Sequence, residues 1–308
     1  MALDYGNVAA REIIKERCRL ADRNTDLIRT LDMINPVLRL TEGVVVKFGI
    51  GVMPSEACAL QFAHDHLDPM IVKVPKMIQF FSDESNSPWS TGYLVMEFMS
   101  GTPLDEVEDL DATSITRRLT RVLDHLHTFT HTRPGPLGGG PAHGLLWSEY
   151  SSGQEFSTLH DLQAYLNRRL AAVRGNGSVD VTGSKLSLCH LDFSARNILL
   201  SADGSITLLD WGCAGFYPSI FETWSVQLEA RIRPNPTWQQ TVSALIARLT
   251  GHQKSELEAL SRVYVANQKM AFSNPKAELE TSLLMQAACG LAWGSGASLT
   301  AATSRAAD

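Results

Sequence analysis

The 308-residue chain has no surplus of basic residues: 27 lysines and arginines stand against 33 aspartates and glutamates, a net charge of −6. It has no long block of one sign, so the electrostatic footprint of a nucleic-acid binder is absent and nucleic acid is not expected as a partner. Cysteine is scarce as well. The five, Cys18, Cys58, Cys189, Cys213 and Cys289, are odd in number, scattered, and form no CxxC pair. That excludes a disulfide framework and a cysteine-based metal motif, and makes a reduced, cytoplasmic setting the expectation. The first residues, Met1 to Asn7, lack a basic then apolar leader, and Asp4 falls where the apolar part would begin. Long apolar runs are missing too. The richest late stretch, 283–299, is broken by Gln286, Gly290, Gly294, Ser295 and Gly296. It is too short and too interrupted to span a bilayer, so no membrane partner is expected.

What is present changes character near residue 100. Apolar positions at Ile13, Ile14, Leu20, Leu27, Ile28 and Leu31 predict one or two amphipathic helices over 8–31. Two short runs, Val37 to Leu40 and Val44 to Phe48, flank Thr41-Glu42-Gly43 at the spacing of a tight hairpin. Lys47 ends the β-branched run Val44-Val45-Val46. A helix is predicted over 55–67, with Ser55 as N-cap and Glu56 in its first turn. Strands are expected at 77–81 and 93–99, the latter closed by Ser100-Gly101-Thr102-Pro103. Beyond that point helical periodicity dominates, over 115–132, 158–172, 236–250, 255–272 and 277–292. The exception is 186–210, where three short strands surround a polar loop.

That loop carries the densest chemistry, His190-Leu191-Asp192-Phe193-Ser194-Ala195-Arg196-Asn197, followed by Asp210-Trp211-Gly212. A strand thus delivers one carboxylate and one amide, and a hairpin delivers a second carboxylate. Phosphoryl transfer asks for this set: a carboxylate to orient an attacking hydroxyl, and hard oxygen ligands to hold magnesium on phosphates.

The pattern H-x-D-x-x-x-x-N, then D-x-x, resembles the catalytic and metal loops of the protein-kinase-like superfamily. The longer stretches Leu188 to Leu200 and Ile206 to Pro218 are similar to the aminoglycoside phosphotransferase family in its fungal form. Asp210-Trp211, where protein kinases carry Asp-Phe-Gly, marks the difference. The resemblance implies an α+β, two-lobed fold, with a small β-rich N-lobe at 1–99 and a larger, mainly helical C-lobe at 100–308 that holds the catalytic and metal loops at 188–212. It implies ATP and Mg2+ as cofactors, Asp192 as catalytic base, and Asn197 and Asp210 as metal ligands. Lys47 matches the lysine on the α- and β-phosphates and Glu56 its ion-pair partner. The carbonyl of Glu97 and the amide of Met99 would hold the adenine edge, and His190 would buttress the loop.

Leu191 stands where protein kinases commonly carry arginine, and no Ala-Pro-Glu segment follows Asp210. The implied acceptor is therefore the hydroxyl of a small molecule: an amino-alcohol, an aminoglycoside-like compound or a secondary metabolite. Its candidate walls are 143–165 and 215–232, where Glu149, Glu155, Asp161, Glu222 and Glu229 offer charge for a cation. Glu222 is the contact selected from these regions, and Trp211, next to Asp210, is the other candidate contact. Arg196 could steady phosphate or pair with a nearby acid. His125, His127 and His131 read as helix surface, since there is no HExxH and no evident third ligand.

One feature opens a second reading. The turn covering the phosphates should be glycine-rich, yet Leu40 and Val44 enclose only Thr41-Glu42-Gly43, whose carboxylate would repel a triphosphate, so either Gly43 alone lines the site or the turn points away. A kinase fold repurposed for a non-kinase reaction, or for nucleotide-dependent regulation, is the alternative. The sequence leaves the oligomeric state open.

Overall fold

The computed structural model describes residues 4–21, 27–29, 35–85, 90–108, 110–147, 151–173 and 178–271. The predicted helix over 277–292, the apolar stretch 283–299, Glu149, Trp89, Trp293 and Cys289 lie outside these residues.

The first lobe is an antiparallel sheet of five strands: β1 (Leu27–Arg29), β2 (Val37–Arg39), β3 (Val44–Gly49), β4 (Met77–Asp83) and β5 (Thr91–Glu97), in the order β1-β2-β3-β5-β4. Helix α1 (Arg11–Leu20) lays Ile14 and Cys18 against Leu38, Val46, Phe81, Tyr93 and Val95 of the sheet. The helical pattern expected to reach residue 31 stops at Leu20, because Leu27 pairs with Leu38 as a strand. Helix α2 (Pro54–His66) follows β3. Its N-cap is the extended Met53 rather than Ser55, since Pro54 supplies the fixed φ of a first helical residue and needs no amide partner.

The second lobe is helical around short strands. Helix α3 (Ala112–Leu126) is capped by Asp111, whose side chain accepts from the amides of Thr113 and Ser114. Helix α4 (Leu159–Ala171) opens on a reciprocal Thr158–Asp161 capping box. Strands β6 (Thr102–Pro103), β7 (Thr130–His131), β8 (Gly135–Pro136), β9 (Leu186–Cys189), β10 (Ile198–Leu200), β11 (Ile206–Leu208) and β12 (Gly215–Pro218) form two small sheets. Their orders are β11-β10-β6 and β7-β9-β12-β8. Helices α5 (Ile220–Ile232), α6 (Pro236–Ile246) and α7 (Gly251–Ala271) complete the described chain. Among the described residues no helix is long and apolar enough to cross a membrane.

One apolar core joins the lobes. Leu60 and Ala63 of α2 belong to the same cluster as Leu94 of β5, Leu119 and Leu123 of α3, and Phe193, Ile198 and Trp211. A second cluster packs Trp147, Phe156, Leu162 and Tyr165 against Tyr217, Phe221, Leu260 and Val263. The first core carries the polar segments between β9 and β10 and after β11, which puts those two segments beside α2 at the junction of the lobes.

Candidate active site

Strand β9 delivers His190 to the start of the loop. The imidazole is fully buried, and burial drives its pKa down to about 4, so the ring is neutral. Its hydrogen bonds fix the tautomer. Nε2 lies 3.0 Å from the Leu209 carbonyl oxygen and must donate, while Nδ1 accepts from the Asp192 amide at 3.3 Å. His190 therefore ties the loop to the segment that precedes Asp210.

Leu191 has φ 60 and Asp210 φ 64, the two non-glycine residues with positive φ among those described. Left-handed backbone costs a leucine of order 1–3 kcal/mol and persists only where the surroundings over-determine it. Here Glu222 accepts from the Leu191 amide at 3.2 Å and also from the His190 amide, while Ser225 Oγ donates to the Leu191 carbonyl at 2.8 Å. Helix α5 thus clamps the loop from beneath through Glu222 and Ser225.

Asp192 meets two donors. Asn197 Nδ2 is 2.8 Å from Oδ2, and Arg196 Nη2 is 2.5 Å from Oδ1. Burial pushes the Asp192 carboxyl above the usual aspartate range, against the opposing pull of Arg196. Arg196 also reaches Glu229 at 3.4 Å, so of its two sequence readings the pairing with acids is the arrangement seen. The backbone joins both loops directly, Leu209 donating to the Asn197 carbonyl at 2.8 Å.

Lys47, from β3, is the bridge to the first lobe. Its Nζ lies 2.8 Å from Glu56 Oε1 on α2 and 2.8 Å from Asp210 Oδ1. Desolvation alone would favour neutral lysine, but the two carboxylates outweigh it and keep Nζ charged. Burial would likewise raise Asp210, yet Lys47 holds its carboxyl well below the usual aspartate range. The cluster offers an ionised carboxylate from Asp210 and a carboxamide oxygen from Asn197, hard donors that fit magnesium.

At the inter-lobe strand the amide of Glu97 donates to Lys76 at 2.9 Å and that of Phe98 to Gly43 at 2.9 Å. The Arg39 guanidinium stacks 4.0 Å over the Phe98 ring. Met99 follows directly in this connection. The turn Thr41-Glu42-Gly43 therefore sits at the hinge end of the sheet, not over the phosphates. Val37 pairs with Lys47 and the Phe48 amide donates to Pro36, so the connection at the lysine end is the one between β1 and β2. Its residues 30–34 lie outside those described, and the repulsion argued from Glu42 does not apply.

Two expected acceptor contacts are corrected. Glu222 is 0% exposed and spends its carboxylate on loop amides; burial raises its pKa to about 7. Trp211 is 1% exposed and donates Nε1 to Leu208, its ring 4.9 Å from that of His190. Neither faces a solvated ligand. The other acids are engaged as well: Glu155 with Arg133 at 2.7 Å, Asp161 in its capping box, Glu229 with Arg196 and Arg233. A cavity of 420 Å3 lies against Phe62 of α2, Phe129, His131 and Phe216, and none of Lys47, Asp192, Asn197 or Asp210 lines it. The clamp of Glu222 and Ser225 and the double pairing of Lys47 escaped the sequence reading. Of these contacts only the Lys47–Glu56 pair is expected from the sequence.

Comparison with known proteins identifies the family and the fold. A model of the phosphotransferase enzyme family matches residues 38–256. No curated protein sequence matches the chain significantly. Among solved structures, aminoglycoside phosphotransferase APH(4)-Ia superposes with a TM-score of 0.56 at 13% identity, over 94% of this chain and 100% of that one. A thermostable mutant of that enzyme, in ternary complex with AMP-PNP and hygromycin B, gives 0.52 at 14%, over 88% and 95%. The GDP complex of aminoglycoside 2'-phosphotransferase-IIIa gives 0.52 at 11%, over 92% and 98%. With the family match spanning more than half of its length and the likenesses of fold running over nearly all of it, the chain belongs to the phosphotransferase enzyme family and has its two-lobed, protein-kinase-like fold.

Proposed function

We propose that this protein transfers the γ-phosphate of ATP, with Mg2+, to a hydroxyl of a small molecule such as an amino-alcohol, an aminoglycoside-like compound or a secondary metabolite. The observation that carries the proposal is the single charged cluster in which Lys47 bridges Glu56 and Asp210, beside a loop that presents Asp192 and Asn197. In this reading the lobes divide after residue 99 and the adenine edge meets the backbone of Glu97 and Met99. Four unbridged cysteines, Cys18, Cys58, Cys189 and Cys213, support a cytoplasmic setting.

Bound between Asn197 and Asp210, magnesium would neutralise charge on the phosphate oxygens. The protein's own residues do the rest. Lys47 brings positive charge to the phosphates while Glu56 fixes its position. Asp192 accepts the proton of the acceptor hydroxyl as its oxygen bonds to phosphorus and the bond to the leaving ADP oxygen breaks. Asn197 and Arg196 hold the Asp192 carboxylate in place.

Calorimetric titration of ATP, with and without magnesium, tests the nucleotide site. Wild type should bind in a magnesium-dependent way, and Asp210→Ala should lose at least about tenfold in affinity, since one charged metal ligand is gone. Metal-independent binding, or an unaffected variant, would remove Asp210 from the role. The pH profile tests Asp192. Protonated Asp192 cannot accept a proton, so kcat/KM should fall as pH drops through its raised pKa, above the ordinary aspartate range. Arg196 favours the charged carboxylate, so Arg196→Gln should move that acid limb to higher pH. An acid limb at the ordinary aspartate pKa in both proteins would point to a different base.

A further inference from the structure

We propose that His127, Cys189 and Glu222 form a buried site for one thiophilic divalent cation, of the zinc class, that braces the catalytic loop from behind. The three residues come from separate elements. His127 is the C-cap of α3, Cys189 ends β9, and Glu222 lies in the first turn of α5. Their ligand atoms all lie within 4.8 Å of one another.

Each donor has capacity to spare. Nε2 of His127 is sealed from solvent and has no hydrogen-bond partner among the described residues. Cys189 is 0% exposed, and its Sγ has only long contacts, 3.7 Å to the Tyr217 carbonyl and 4.0 Å to that of Pro218. Glu222 receives the amides of His190 and Leu191, but each carboxylate oxygen carries a second lone pair. The buried Nε2 departs from the helix-surface reading of His127, and in this proposal its partner ligands come from a strand and a helix distant in the chain.

Chemistry selects the ion. Imidazole nitrogen, thiolate and carboxylate are zinc ligands, whereas magnesium and calcium favour all-oxygen sets. A thiolate and a carboxylate cancel the charge of a dication in a place where net charge would be costly. The proton displaced from the Cys189 thiol leaves to solvent on binding. Tetrahedral bonds of about 2.0–2.3 Å set ligand atoms roughly 3.3–3.8 Å apart, so closure from the present spacing requires about an ångström of side-chain movement. The Tyr217 carbonyl is at hand for a fourth position. The inference depends neither on nucleotide binding nor on the proposed reaction.

The test uses the full-length chain, freed of metal by chelator dialysis and titrated with zinc chloride against a chromophoric chelator. One equivalent should bind to wild type and to Asp210→Ala alike, and thermal unfolding should move up by several degrees. His127→Gln and Cys189→Ser should bind at least about tenfold more weakly, while Cys58→Ser, which alters an exposed thiol, should match wild type. Cobalt(II) in place of zinc should give wild type a thiolate charge-transfer band. Its absence, or zinc binding unchanged in Cys189→Ser, overturns the proposal, and the wild-type band decides the matter even where a variant fails to fold.

Discussion

Asp192→Asn should lower kcat by about 10²- to 10⁴-fold, the usual worth of a positioned general base, while ATP affinity changes by no more than about threefold. The substitution keeps the shape of the side chain and one acceptor oxygen. It removes the charge that Arg196 neutralises at 2.5 Å and puts an NH2 group where either Arg196 or Asn197 already points a donor. Arg196 keeps Glu229, so the loop is not left with an uncompensated guanidinium. The measurement is acceptor-dependent ADP release alongside calorimetric ATP binding. Full turnover by Asp192→Asn would sink the assignment of the base, while ATP binding with no acceptor-dependent ADP release by the wild type would favour the repurposed reading, in which the cleft binds without transferring phosphate.

Glu222→Ala should destabilise the protein by about 2–5 kcal/mol, because two buried backbone amides lose their acceptor and each such orphan costs about 1–3 kcal/mol. For a chain of this size that corresponds to a fall in Tm of roughly 5–15 °C. Catalysis should suffer as well, since the left-handed Leu191 at φ 60 is held by this carboxylate and by Ser225. Glu222→Gln should fall between, keeping one acceptor oxygen. Thermal unfolding together with kcat and the acceptor KM discriminates the possibilities. A raised acceptor KM at unchanged Tm would restore the acceptor contact inferred from the sequence.

The parts legible in the sequence are those whose geometry is local. Asp192 and Asn197 share one loop, Asp210 follows a two-strand excursion, and the Lys47–Glu56 spacing links a strand end to the next helix, so counting residues locates them. What was misread depended on partners distant in the chain. Strand β1, only Leu27–Arg29, looks helical because three residues cannot display a period of two, and its identity comes from pairing with β2. Missing it shifted the strand count by one and made Thr41-Glu42-Gly43 look like the phosphate turn. Glu222 reads as an acceptor contact in the sequence, yet helix α5 is apolar on most sides; buried around it are Ile220, Phe221, Thr223, Trp224 and Val226. With no polar face to read against, its carboxylate could not be assigned a direction. His127 reads as helix surface, yet its Nε2 is sealed from solvent.

The core that α2 shares with both lobes has a mechanical corollary. Lys73 reinforces it, donating to the Ile206 carbonyl at 2.8 Å and accepting from Leu208 at 2.9 Å, a backbone splice between the lobes. Two lobes spliced in this way should unfold in a single cooperative transition, which calorimetric unfolding would check. Loosening of α3 or α6 transmits through Leu60 and Trp211 to the ends of the Lys47 bridge, so weakened packing far from the cleft would register as weakened chemistry within it.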